Sequence, residues 1–216
     1  MPKIKTQNSS SECYFSNHGI GQSWPFSIYH KPIEKHILQV AKQVPANGTC
    51  LNLGCGFFDL YPILKKRRNW HACDIDKGCI SEVNQRYKDI DARVCRTIPE
   101  YAANIFDFVI STEVIEHITE PIPWLAAIEN MLKPDGIAII STPNYGFSLL
   151  PVIEYSFLEA IARIKGFSRF GLHPNKYSKN KFSKQLNQVF GNDVITITKR
   201  SMGMVLVADV KHKIIK

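Results

Sequence analysis

The sequence is as informative for what it lacks as for what it holds. Six cysteines occur in 216 residues, and no two are spaced Cys-x-x-Cys. Cys50, Cys73 and Cys95 lie inside apolar runs, where a free thiol behaves as a small hydrophobe. Together these features exclude a disulfide framework and point to a reducing compartment. No uncharged apolar run is long enough to cross a bilayer. Lys3 and Lys5 are not followed by an apolar h-region, so no secretory signal is expected and the expected location is cytoplasmic. No internal repeat and no dividing linker are present. Acidic residues are the scarcer charge, 19 Asp and Glu against 27 Lys and Arg, for a net charge of +8. That balance admits nucleic acid, anionic lipid or an acidic small molecule as a partner and does not choose among them. Lys65–Arg68 is the densest cationic cluster, read as a solvated helix end.

What is present has an alternating rhythm. Residues 1–12 are polar and expected to be disordered. Residues 13–30 are dense in aromatics (Tyr14, Phe15, Trp24, Phe26, Tyr29) and broken by Gly19, Gly21 and Pro25, which predicts an irregular arm over residues 1–30. Such an arm suits a lid over a ligand or a loop packed on the core. Apolar residues at Ile33, Ile37, Val40, Ala41 and Val44 predict a helix opening at Pro32. Strands are predicted at 49–53, 70–74, 92–95, 106–110 and 137–140. Helices intervene at about 60–64, where Asp59 is the expected cap and Leu60, Ile63 and Leu64 the buried face, then at 78–87 and from Pro123 to Leu132. Lys133-Pro134-Asp135-Gly136 reads as the loop that ends the last of these. Strands that are almost continuously apolar and alternate with helices imply a doubly wound, mostly parallel α/β sheet covered on both faces.

After Asn144 the rhythm breaks, and residues 145–177 read as an insertion within a domain spanning 31–216. A helix over 149–164 carries an apolar face, suited to core, to a wall over a substrate, or to an anionic membrane surface. Ser178 is placed to cap a further helix. Two apolar, β-branched segments at 194–198 and 204–210, joined by a short link, must pair antiparallel.

A parallel sheet binds ligands at the carboxyl ends of its strands. After the first strand come Gly54, Cys55 and Gly56, a tight turn that leaves bare backbone and opens toward a helix N-terminus. The second strand ends at Asp74, eighteen positions after Gly56, where a carboxylate can accept hydrogen bonds from ribose hydroxyls. Asp76 is the runner-up carboxylate. Arg96, Thr97 and Ile98 follow the third strand, Ser111, Thr112 and Glu113 the fourth, and Thr142, Pro143 and Asn144 the fifth.

Glu113, Glu116 and His117 sit at i, i+3 and i+4. In a helical turn they would share one face. Three readings follow: a divalent-cation site with His173 as a distant fourth ligand, a general base at His117, or a structural cap for the turn.

The order of these pieces resembles the class I S-adenosylmethionine-dependent methyltransferases. The matching segments are Leu-Asn-Leu-Gly-Cys-Gly at 51–56, Cys-Asp-Ile-Asp at 73–76, Phe-Asp-Phe-Val-Ile at 106–110 and Glu-Val-Ile-Glu-His at 113–117. Leu-Lys-Pro-Asp-Gly at 132–136, Ser-Thr-Pro-Asn at 141–144 and the antiparallel final pair complete the set. Within that family the chain is most similar to the ubiquinone-biosynthesis type of O-methyltransferase. The Glu-Val-Ile-Glu-His and Thr-Pro-Asn pieces also resemble small-RNA 2′-O-methyltransferases.

The resemblance implies a Rossmann-like sheet of seven strands. It implies a cofactor site built from Asn52, Gly54, Cys55, Gly56, Asp74, Ile75, Ile98, Ser111 and Thr112. His117 and Glu113 then face the reacting methyl group. Tyr14, Phe15, His18, Trp24 and Asn144 are the expected acceptor wall. Because related families hold a divalent cation with a set such as Glu113, Glu116 and His117, that cofactor stays open beside the base and the structural readings. Three positions depart from the family: Asn52 replaces an acid, Phe58 a small residue, and Arg96 and Thr97 an acid near the adenine.

The expected reaction is methyl transfer to a hydroxyl of a small or amphipathic molecule. Two alternatives are RNA 2′-O-methylation and a degenerate fold that serves as a binding scaffold. No obligate protein partner is implied. RNA is disfavoured because no dense basic stripe interleaved with aromatics is present outside Lys65–Arg68.

Overall fold

A computed structural model describes residues 26–66, 68–95, 101–146, 148, 174–191 and 195–212. Seven strands form one sheet: β1 (Thr49–Leu53), β2 (Asn69–Asp74), β3 (Asp91–Val94), β4 (Phe106–Thr112), β5 (Leu132–Pro143), β6 (Ile195–Arg200) and β7 (Val205–Lys211). Their spatial order is β3-β2-β1-β4-β5-β7-β6. The first five are parallel, and β7 runs antiparallel to both β5 and β6. This is the mostly parallel sheet expected from the alternating rhythm, in the seven-stranded Rossmann-like form that the resemblance implies.

The described helices are α1 (Phe26–Ala41), α2 (Tyr61–Leu64), α3 (Lys77–Arg86), α4 (Pro121–Met131) and α5 (Lys179–Phe190). Successive strand residues point to opposite faces, so each strand feeds two cores. On one face, Cys50, Ala72, Phe108, Ile110 and Val207 meet Ile33, Ile37 and Val40 of α1 and Ile80 and Val83 of α3. On the other, Leu51, Cys73, Val109, Ile140 and Ala208 meet Trp124, Leu125 and Ile128 of α4 and Phe182 and Leu186 of α5. Each fully buried large aliphatic or aromatic side chain contributes roughly 1.5–3 kcal/mol. Burial on both faces is why the strands lack polar alternation.

Several local expectations need correction. The first helix begins at Phe26, so Pro32 lies inside it and the aromatic stretch is helical from 26 onward. Proline removes the bond to the carbonyl of Ile28, a residue on the exposed side of the helix at 47%. Asp59 does not cap α2. The cap is Leu60, without a side-chain bond, and Asp59 instead pairs with Arg86 at 3.1 Å. On α2 the buried residues are Tyr61 and Leu64, while Ile63 is 57% exposed. Arg68 is not simply solvated: its guanidinium donates to the carbonyls of Ala41 and Val44 and holds the end of α1. The helix after β4 opens at Pro121 rather than Pro123.

Lys133-Pro134-Asp135-Gly136 lies within β5, not in a loop before it. The register jumps from Phe106↔Leu132 to Phe108↔Ile137, so the turn-forming residues are absorbed as an irregularity in a longer strand. Asp135 takes φ 61 there, and the backbone of 135–136 bonds that of His212. Ser178 does cap α5, accepting from the Lys181 amide.

Candidate active site

The carboxyl ends of β1, β2, β4 and β5 converge on one edge of the sheet. Gly54 takes φ 74 and Gly56 φ 50, conformations costly for residues with a Cβ. The amides of Gly54 and Cys55 both donate to the carbonyl of Cys73, at 2.8 and 3.0 Å, which fastens the turn to β2. A Cβ on Gly54 would lie 2.3 Å from Val114 Cγ2. The segment after β4 therefore packs directly on the glycine turn.

Asp74 is 4% exposed. Its Oδ2 accepts from the Gly56 amide at 2.8 Å and its Oδ1 from the Asp76 amide at 2.9 Å. Burial raises its pKa and outweighs the stabilising N–H donors. Asp76 has a different task. It caps α3, its Oδ1 accepting from Gly78 and Cys79, so the runner-up carboxylate is committed to the helix N-terminus. Ile75, next to Asp74, is 36% exposed and offers an apolar surface at the same edge.

Asn52 is 9% exposed in the middle of β1, paired with Ala72 and Ile110. Phe58 also takes a positive φ, 50. The backbone there keeps the left-handed geometry a glycine would favour, and Phe bears it because its ring packs at 5.4 Å from both Tyr61 and Trp70. Cys55 is buried, which raises its thiol pKa.

The Glu113–His117 segment differs from the helical turn expected. Glu113 takes φ 57, and only Ile115–His117 forms a short 3-10 turn. The three side chains therefore do not line up as i, i+3 and i+4. Glu113 Oε2 accepts from the Tyr29 hydroxyl at 2.5 Å and its Oε1 from the Ser141 hydroxyl at 2.9 Å. Glu113 keeps partial solvent contact, yet burial pushes its carboxyl up to about 7 against the pull of those two donors. Glu116 is 1% exposed and accepts from Thr142 Oγ1 at 3.1 Å. His117 is half-buried at the end of the turn, its amide bonded to the Val114 carbonyl. Among the described residues, no group of three or more His, Cys, Asp and Glu side chains is placed to hold a metal ion. The divalent-cation reading thus gains no support, and His173 lies outside the described residues.

Ser111 is fully buried and donates to the Leu53 carbonyl at 2.9 Å, locking the ends of β1 and β4 together. Thr112, the last residue of β4, is half-buried. Asn144 is 1% exposed; its Nδ2 donates to the Gly203 carbonyl and its Oδ1 accepts from the Gly146 amide. Its carboxamide thus ties the end of β5 to the β6–β7 turn. Tyr14, Phe15, His18, Trp24, Arg96, Thr97 and Ile98 lie outside the described residues, as does the 149–164 helix.

Sequence pattern places Tyr29 in the irregular arm and not in the site. It precedes Ile33 by four positions and so extends the α1 stripe backward, the signal that could have placed it on a helix facing the site.

The donor and acceptor set fits an adenosyl cofactor. It combines a buried carboxylate fixed by two backbone N–H groups, an apolar neighbour, and a turn whose glycines leave backbone uncovered. Asn52 can hydrogen-bond there but cannot ion-pair with an ammonium group.

A methyltransferase-domain family model matches residues 27–195. A ubiquinone biosynthesis O-methyltransferase of Dinoroseobacter shibae is 36% identical over 63 residues, covering 29% of this chain and 23% of that protein. The aligned part is thus under a quarter of that relative's length. In fold, the chain is similar to the methyltransferase of a Haloferax volcanii complex with the Trm112 methyltransferase activator. That match has a TM-score of 0.68 and 13% identity, covering 95% of this chain and 98% of the other. It is also similar to a TehB-like S-adenosylmethionine-dependent methyltransferase of Corynebacterium glutamicum, with a TM-score of 0.58, 17% identity and coverage of 83% and 88%. With the glycine turn, the β2 carboxylate and the β5-β7-β6 end of the sheet all in place, the chain belongs to the methyltransferase-domain family of S-adenosylmethionine-dependent enzymes.

Proposed function

We propose that this protein transfers a methyl group from S-adenosylmethionine to a hydroxyl of a small or amphipathic acceptor. The observation that carries the reading is the Glu113 carboxylate, packed beside the glycine turn through Val114 and oriented by two hydroxyl donors. The sulfonium of the cofactor supplies an already activated methyl group. The chain's task is then to hold, align and deprotonate the acceptor.

In this reading the Gly54–Gly56 turn, Asn52, Ile75 and Thr112 border the cofactor, and Asp74 takes its ribose hydroxyls. Glu113 takes the acceptor proton. A carboxyl with a pKa near 7 is suited to that exchange at neutral pH. His117, at the adjacent turn, is the second candidate base. The partial match to ubiquinone O-methyltransferases supports oxygen as the atom methylated.

Isothermal titration with S-adenosylhomocysteine is the first test. Binding that is lost in Asp74→Ala supports the reading, and no heat at millimolar ligand removes it. Transfer of labelled methyl groups to a panel of phenols and catechols then tests the acceptor class. Product on an amine but never on a hydroxyl would overturn the oxygen assignment.

A further inference from the structure

Tyr29 enters the site from α1, at the far end of the sequence from the groups it touches. Its hydroxyl donates to Glu113 Oε2 at 2.5 Å, while Ser141 of β5 donates to Oε1 at 2.9 Å. One hydroxyl therefore holds each carboxylate oxygen, one from α1 and one from β5. Together they fix the plane of a carboxylate whose backbone is itself in an unusual conformation, with φ 57. The Glu113 amide is anchored as well, donating to the Ser141 carbonyl at 3.2 Å.

Tyr29 is held from behind. Its carbonyl accepts from the Ser201 hydroxyl. Ser201, Met202 and Gly203 all take positive φ, at 52, 57 and 84, in the turn joining β6 to β7. Two consecutive non-glycine residues in that region cost conformational energy that the surroundings must offset. The turn sets Ser201 against α1, and Asn144 grips the same turn through the Gly203 carbonyl at 2.7 Å.

We propose that Tyr29 is a positioning residue for Glu113: its phenol orients the carboxylate toward the acceptor side and favours its ionised form. The part of this that concerns the acceptor rests on the proposed methyl transfer. The coupling between the two side chains does not. Burial and the neighbouring Glu113 carboxyl push the Tyr29 phenol well above its ordinary range, so the phenol remains the donor throughout neutral pH. Glu116 and Tyr145 also face Tyr29, and both act in the same direction. His117 is the remaining titratable group of the turn. Of the Tyr29–Glu113 pair, Glu113 is thus the member whose charge changes.

The test reads Glu113 directly. In the full chain carrying carboxyl-13C glutamate, the Glu113 signal is assigned by its loss in Glu113→Gln and titrated from pH 5 to 9. Tyr29→Phe keeps the ring and removes the donor, and the Glu113 midpoint should rise by about one pH unit, the size of a lost hydrogen bond to the charged form. Uniform incorporation of fluorotyrosine, which makes the phenol a stronger donor without altering its shape, should lower the midpoint. This second measurement stands even if Tyr29→Phe does not fold. A midpoint unmoved by either change overturns the proposal, as does a fall in Tyr29→Phe. Neither cofactor nor acceptor is needed. Failure to bind S-adenosylhomocysteine would therefore count against the methyl-transfer reading alone.

Discussion

Asp74 and Gly56 are joined by a 2.8 Å hydrogen bond from the glycine amide to the aspartate Oδ2. The bond makes the turn after β1 and the end of β2 a single unit. The carboxylate orders the glycine backbone before any ligand arrives. Asp74→Asn keeps one acceptor oxygen, for the Gly56 or the Asp76 amide, sets its NH2 against the other, and loses the charge. We expect affinity for S-adenosylhomocysteine to fall at least about tenfold, with the thermal midpoint changed by only a few degrees. Titration calorimetry and a melting curve on the same sample check both. An unchanged affinity would remove Asp74 from the cofactor site.

Phe58 supports a less usual expectation. Its φ of 50 favours glycine, while its ring fills space against Trp70 and Tyr61. Removing the ring should cost about 3 kcal/mol, from lost burial and the cavity left behind. Phe58→Ala keeps a Cβ in the left-handed region and Phe58→Gly does not. The glycine variant should therefore be the more stable of the two by about 1 kcal/mol, reversing the usual order. Urea midpoints of the two variants decide it.

Much of this was legible in the residues. Most strands are legible because they are short apolar runs bounded by turn residues, and Gly54, Gly56 and Asp74 because their spacing follows from the fold itself; β3, with Asp91 and Arg93, and the opening of β5, with Lys133-Pro134-Asp135-Gly136, lack that signal. Glu113 was misread. Its i, i+3, i+4 spacing predicts a helical turn, whereas the first residue of the segment turns left-handed, and glutamate carries no signal for that conformation. Long-range pairs such as Tyr29 with Glu113, or His36 with Asp209 at 2.7 Å, were also out of reach. A charged residue within the apolar run 205–210 marks that something must meet it, but cannot say what.

Glu113 links the site to pH. Its carboxyl titrates near 4.5 when unhindered and at about 7 in the folded protein. Between those values the folded state holds a proton that the unfolded chain has released. Stability should therefore fall as pH rises from about 4.5 through 7, by roughly 2–3 kcal/mol at most. Glu113→Gln should flatten that slope. Denaturant unfolding at pH 5 and pH 8 for both proteins measures it, and parallel slopes would count against a raised carboxyl.

Thiol reactivity offers an independent check on the sheet. The Cys95 pKa is lowered, chiefly by a hydrogen bond with Cys73, and the residue is only partly buried. Cys50, Cys55, Cys73 and Cys79 are buried with raised pKa values. Iodoacetamide at neutral pH should modify Cys95 well before those four, as read by peptide mass spectrometry. Early labelling of Cys73 would mean that β2 and β3 part more readily than their register implies.

The position of β7 bears on how the chain is made. It lies between β5 and β6 yet comes last of the three, with Ile137 paired to Lys211. During synthesis β5 must wait, one hydrogen-bonding edge open, until residues beyond 204 have left the ribosome. That edge is rich in isoleucine and suited to pairing with other chains. A nascent chain arrested before β7 would therefore be the most aggregation-prone species on the route to the native fold.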